Sequence, residues 1–135
     1  MAVTDASLIT SLFSEPDVNH AAARRWFDAA HARGEPLFAP TIILAEVASA
    51  FGRTLGDPAR VRIAVQRIVD WNLMTLVAVA TSLARRSAEV TADTRLKGCD
   101  SIYVALAAEL DEVLVTFDQE QLSRITGMIR VTRPS

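Results

Sequence analysis

LKGCDSIYVALAAELDEVLVTFDQEQ, residues 96–121, is the stretch whose reading decides the fold. It reads as an apolar helix opened by Gly98, Cys99 and Asp100, a short turn at Asp111 and Glu112, and a buried strand from Val113 to Phe117 that stops at Asp118. Two carboxylates therefore bracket one αβ unit. At helical spacing the face through Asp100 continues to Tyr103, Val104 and Ala107, so this acid begins the stripe that packs on a sheet. Asp118 follows a strand with no polar residue before Thr116. An ionised carboxylate out of water needs a partner, a cage of hydrogen bonds or a cation, so both positions ask what else the chain brings to them.

Working outward, the chain repeats this grammar. Ala2 to Thr4 is a short strand ending at Asp5, followed by a helical turn through Leu8, Ile9, Leu12 and Phe13. Asn19 to Arg33 is a helix stopped by Gly34, and Leu37 to Ala39 a second strand between Pro36 and Pro40. Thr41 is expected to cap a helix from Ile42 to Phe51, ended by Gly52. Glu46 shares the inward face of that helix with Ile42, Ile43 and Ala50, and it is the only charge in IILAEVASAF. Asp57 and Pro58 open the next helix, Leu73 to Val79 is a third strand, Thr81 to about Thr94 a helix, and Ile129 to Thr132 a last strand. Strands separated by helices of about ten residues or more imply an α/β domain with a parallel sheet covered on both faces.

Composition bounds the rest. A chain of 135 residues is one domain, 1–135, large enough to bury a core. An apolar fraction of 50% with a mean hydropathy of +0.23 is high for this size, yet no run approaches the ~20 residues of a membrane span, so the excess points to a subunit interface. MAVTDASLI has no basic region and runs directly into a strand pattern, unlike a secretory signal. The single cysteine, Cys99, forms no internal disulfide, suits a reducing cytoplasm, and is expected to be a small buried residue. A net charge of −2 argues against a protein held to nucleic acid by its overall field, although nearly all its positive charge is Arg, whose planar fork suits phosphate.

Of the sixteen acids, Asp5, Glu46, Asp100 and Asp118 stand apart by their apolar surroundings. Two lie at carboxyl ends of strands, where an open α/β sheet binds its ligands, and two on helices that cover those ends. Carboxylates without histidine or cysteine ligands describe a site for a hard cation, Mg²⁺ or Mn²⁺, and metal-assisted phosphodiester hydrolysis. Each acid also has a plainer reading. Asp5, Asp100 and Asp118 could be helix or turn caps, and Glu46 could pair with Arg53.

The chain resembles the PIN-domain nucleases, and among them the small VapC-type toxins of toxin–antitoxin pairs. The resemblance is carried by Asp5 in VTDASLI, Glu46 in LAEVASA, Asp100 in LKGCDSIYVALA, and Thr116 with Asp118 in LVTFDQEQL, in that order along essentially the whole length. It implies a five-stranded parallel sheet in order 3-2-1-4-5, with Asp5 and Asp118 on neighbouring strands. It also implies Mg²⁺ or Mn²⁺ held by the four acids, RNA as substrate, a homodimer, and a small antitoxin protein as partner. Thr116 would support the acids with its hydroxyl. Some relatives carry a further acid shortly after the position of Asp118; Glu120 either serves as that acid or the loop does without it, which leaves one metal or two open. A different class of reading is a PIN-like module that binds RNA or protein, its acids structural. A phosphoryl-accepting receiver domain would want paired acids after the first strand and a lysine near the end of the sheet, where this chain has Asp5 alone and only Lys97.

Overall fold

Helices separate the first four strands, and segments that long cannot close hairpins, so the strands must run parallel through crossovers. The computed structural model describes residues 1–72 and 74–135. Its elements are β1 (Ala2–Thr4), α1 (Ala6–Phe13), α2 (His20–Ala32), β2 (Leu37–Pro40), α3 (Ile43–Leu55), α4 (Pro58–Val69), β3 (Met74–Val77), α5 (Thr81–Thr94), α6 (Gly98–Leu110), β4 (Val113–Val115), α7 (Gln119–Arg124) and β5 (Val131–Thr132). All strand pairs are parallel and their order is β3-β2-β1-β4-β5, as the resemblance implied.

That order makes the chain reverse direction between β1 and β4. Successive crossovers run one way from β1 to β3, then return across the sheet to β4. Right-handed connections therefore place α1 to α4 on one face and α5 and α6 on the other. The packing agrees: α1, α2, α3 and α4 contact one another, while α6 packs on α5 and on strands β1, β2 and β4. Helix α6 is buried nearly all round, with Ser101, Tyr103, Val104, Ala105, Leu106 and Ala107 inside, as a helix sandwiched between sheet and neighbour must be. Its polar Ser101 meets Thr91 Oγ1 of α5 at 2.7 Å. The core runs continuously from Val3, Leu114 and Val115 of the sheet to Leu8, Ile43, Val47 and Leu106 of the helices. Among the described residues no helix is long and apolar enough to cross a membrane.

Several local expectations are corrected. Gly52 does not end α3; the helix runs on to Leu55 and stops at Gly56, whose φ of +63° is the left-handed conformation a glycine cap adopts freely. The cap position at its start is Ile42, with no side-chain bond, so Thr41 is not the cap. Cys99 is exposed rather than buried. Strand β4 ends at Val115, two residues early, because the chain turns to place Thr116 and Phe117 over the sheet end; the last strand is only Val131 and Thr132. Leu73, the expected start of the third strand, lies outside the described residues.

Candidate active site

The reversal between β1 and β4 opens a cleft at their carboxyl ends, and the register sets what faces it. Thr4 pairs with Val115, so Asp5 and Thr116 leave the sheet side by side. A cavity of about 570 Å³ lies there, lined by Asp5, Glu46, Asp100 and Asp118 together with Ser7, Tyr103 and Gln121. Four segments far apart in sequence thus bring the four expected acids to one hollow, and Asp17 lines it as well, its Oδ1 accepting from Ser11 Oγ at 3.1 Å and the Asn19 N–H at 2.7 Å. Glu120 is not among the lining residues; it is exposed on α7 and stands 3.8 Å from Arg124.

Asp5 is buried and caps α1. Its Oδ1 accepts from Ser7 Oγ at 2.6 Å and from the Leu8 N–H at 3.2 Å, and its Oδ2 from Thr116 Oγ1 at 2.6 Å and Gln121 Nε2 at 3.3 Å. Burial outweighs the donors Ser7, Thr116 and the Leu8 N–H, and with the nearby Asp118 charge it pushes the carboxyl up to about 6. Thr116 joins the two aspartates through one hydroxyl, which donates to Asp5 and accepts the Asp118 N–H at 2.8 Å. Ser7 joins the two loops in the same way, donating to Asp5 and accepting the Phe117 N–H at 2.9 Å.

Asp118 caps α7, accepting the Gln121 N–H at 3.0 Å. Asp100 sits inside the first turn of α6, whose cap position is Lys97, so it is not the cap of its helix. Burial, then Asp118, then Glu46 hold its carboxyl above the usual carboxylate range. Glu46 projects from α3 and accepts the phenol proton of Tyr103. The buried Tyr103 phenol is pushed well above its ordinary value, by burial first and Glu46 second, and so stays a donor. Glu46 does not pair with Arg53, whose guanidinium bonds Ser49 Oγ at 2.9 Å. Among the described residues none of the five acids that line the cavity, Asp17 included, is in an ion pair.

A family model described as the PIN domain matches residues 2–127. The chain belongs to the PIN domain family. Solved structures agree on the fold. VapC20 of Mycobacterium tuberculosis, described as a sarcin–ricin loop cleaving toxin, superposes with a TM-score of 0.78 at 17% identity over 91% of this chain and 94% of its own. A toxin–antitoxin complex from Klebsiella pneumoniae gives 0.72 at 20% identity, over 100% and 98%. VapBC2 of Rickettsia felis, bound to a DNA fragment from its promoter, gives 0.76 at 9%, over 99% and 98%. Among curated protein sequences none matches this chain.

The PIN fold implies a divalent cation, and the residues present fit one on two counts. The Asp118 charge raises the proton affinity of Asp5, and Asp118 with Glu46 raises that of Asp100, which positive charge would relieve. A buried amide oxygen beside them, Gln121 Oε1, has no hydrogen-bond partner among the described residues. Among the described residues no three His, Cys, Asp or Glu side chains close to ligand spacing. Asp5, Glu46 and Asp118 each take donors from the protein instead. Sequence reading missed Gln121, Ser7 and the role of Tyr103. Gln121 had a faint signal, since Asp118-x-x-Gln121 matches the spacing of a capping box.

Proposed function

We propose that this PIN domain is a divalent-cation-dependent endoribonuclease that hydrolyses RNA phosphodiester bonds, and that it serves as the toxin of a toxin–antitoxin pair. The observation that carries the reading is the state of Glu46 and Asp100: both face the cavity, neither caps a helix, and neither is in an ion pair among the described residues. A fold has no use for two such charges beside a buried Asp5 unless something positive joins them.

Asp5, Glu46, Asp100 and Asp118 would hold Mg²⁺ or Mn²⁺. When bound, such an ion activates water and neutralises the charge that builds on a phosphodiester. The chain's own part is to fix the oxygens. Ser7, the Leu8 N–H and Thr116 hold Asp5 in one rotamer, the Tyr103 hydroxyl aims Glu46, and the first turn of α7 aims Asp118. Arg53 lines the same hollow and among the described residues is held by Ser49 alone, leaving most of its fork for an RNA phosphate. The net charge of −2 leaves such local contacts, rather than the overall field, to bring RNA in.

The relatives from Klebsiella and Rickettsia are toxin–antitoxin assemblies, which supports a small antitoxin partner here. A second hollow of about 540 Å³, lined by Phe13, Phe51, Leu55, Ile63 and Arg67, exposes apolar side chains that suit a helix of such a partner. Apolar exposure at Met1, Phe13, Ile63, Val69 and Met128 also supports a homodimer. The exposed Cys99 thiol suits the reducing cytoplasm. Light scattering at tens of micromolar tests assembly, a particle near 14.7 kDa counting against the dimer.

The other reading, a module that binds without cutting, draws on Asp5 and Asp118, which do cap α1 and α7. Incubation of purified protein with single-stranded RNA separates the two. Cleavage in Mg²⁺ that stops in EDTA and in Asp5→Asn supports the nuclease; cleavage indifferent to both, or RNA bound and never cut, rejects it.

A further inference from the structure

Gln121 is a buried polar residue that the fold does not account for. It is 1% exposed and sits three residues after the cap of α7, where a glutamine side chain usually reaches back to the N–H of the cap residue. Here Thr116 Oγ1 already takes that N–H, and Gln121 turns its amide to the other strand end, donating Nε2 to Asp5 Oδ2 at 3.3 Å. Its Oε1 is enclosed without a partner among the described residues. A buried carbonyl left in that state costs about 1–3 kcal/mol, so an apolar side chain of similar shape would suit the fold better.

The amide can exchange its two ends by half a turn about its last torsion. Oε1 then stands where Nε2 stood, beside Asp5, and Nε2 takes the enclosed position. One unpartnered atom replaces another, so the exchange costs the bond from Nε2 to Asp5 and the hydrogen-bonding contact of the same side chain with Asp100. The bond to Asp5, at 3.3 Å, is the longest of the four on that carboxylate, the others being 2.6, 3.2 and 2.6 Å. Against a bare carboxylate the exchanged amide would set lone pair against lone pair. Beside a hard cation, which takes amide carbonyls together with carboxylates, it gains an ion–dipole contact.

We propose that Gln121 is a neutral oxygen ligand of the cation site, an amide that donates to Asp5 without the ion and turns Oε1 to Mg²⁺ or Mn²⁺ when the ion enters. The proposal rests on the cation reading above and deepens it. It explains why a glutamine, whose amide offers both a donor and an acceptor, occupies a place where a hydrophobe would pack: no other uncharged side chain of that reach serves both states.

The test is a Mg²⁺ titration of the full chain read in two ways. Calorimetry on wild type, Gln121→Leu and Gln121→Glu should show binding about 10- to 100-fold weaker in the leucine variant, the range typical of lost supporting groups at metal sites, and retained in the glutamate variant, which presents oxygen in either orientation. In wild type, the side-chain NH₂ resonances of Gln121, assigned through bonds, should shift as Mg²⁺ saturates; this readout needs no variant to fold. Wild type that binds Mg²⁺ while the Gln121 amide resonances stay in place, or Gln121→Leu that binds as tightly as wild type, overturns the role of Gln121 and leaves the cation site standing. Wild type without saturable binding overturns the cation reading itself, and the proposal with it.

Discussion

Asp5→Asn isolates the electrostatic cost of the site. The ordinary aspartate value of 3.8 is raised to about 6 in the folded chain, chiefly by burial. The native state therefore holds its proton over a range where the unfolded state has lost it. Stability from this group is fully present below 3.8, falls as pH rises, and is spent once pH passes about 6. At ~1.4 kcal/mol per tenfold, the shift costs about 1 kcal/mol at pH 4.5, where the folded chain still holds the proton that the unfolded chain has released, and about 3 kcal/mol by pH 7.5, where Asp5 is ionised in both states. Asparagine has nearly the shape of the protonated acid, keeps an oxygen for Ser7 and the Leu8 N–H, and does not titrate. The assay is urea or thermal unfolding of both proteins in EDTA from pH 4.5 to 7.5. The variant should gain on wild type by about 2 kcal/mol across that range, a widening of the melting gap on the order of 5–10 °C. Asp100, also raised, titrates in both proteins and drops out of the difference. Parallel curves, or a wild type that gains on the variant as pH rises, would refute the claim that Asp5 is held ionised at a cost.

Tyr103→Phe removes the donor to Glu46 and leaves a charged acceptor without its protein partner; unfolding in urea should show a loss of about 1–3 kcal/mol, and RNA cleavage should fall while RNA affinity holds. Arg53→Ala should weaken RNA binding across sequences and lower the salt dependence by about one ion released, read by fluorescence anisotropy at several salt concentrations, with no change in the EDTA melting curve beyond a few tenths of a kcal/mol. Asp100→Asn removes a charge that Asp118 and Glu46 repel and breaks no cap, so it should melt higher than wild type in EDTA and gain less from Mn²⁺. A variant that melts lower in EDTA would make Asp100 structural.

The fold was legible because its signals are local. Apolar runs such as Val113 to Val115, cap residues such as Asp57 with Pro58, and the spacing of helices between strands all lie within a few residues of what they determine. The strand order came from the resemblance, and it holds. Boundaries were harder where two signals competed. Gly52 and Gly56 both read as stops, and only the packing of α3 along α4 decides that the helix continues through the first. Cys99 reads as buried by residue type, but it falls on the first turn of α6 where the helix emerges beside the cavity acids. Asp5, Glu46, Asp100 and Asp118 were visible as charges in apolar contexts, and they do face one cavity. Glu120 was one of two alternatives that the resemblance left open, and the turn of α7 carries it to the surface, 3.8 Å from Arg124. The bond from Gln121 to Asp5 spans 116 residues, and that from Tyr103 to Glu46 spans 57; no pattern within one segment encodes either. The first exists because the β1–β4 register sets the two strand ends side by side, the second because α3 and α6 both reach the same cavity.

The most direct measurement is the rate of cleavage of one defined single-stranded RNA as a function of Mn²⁺ concentration, for wild type, Glu46→Gln and Asp100→Asn. Four acids acting as one cation site give a rate near zero in EDTA that saturates with Mn²⁺ in wild type, and curves in both variants that rise later and reach a lower plateau. A rate independent of Mn²⁺, or variants that trace the wild-type curve, would contradict the assignment of these acids to a cation-dependent nuclease.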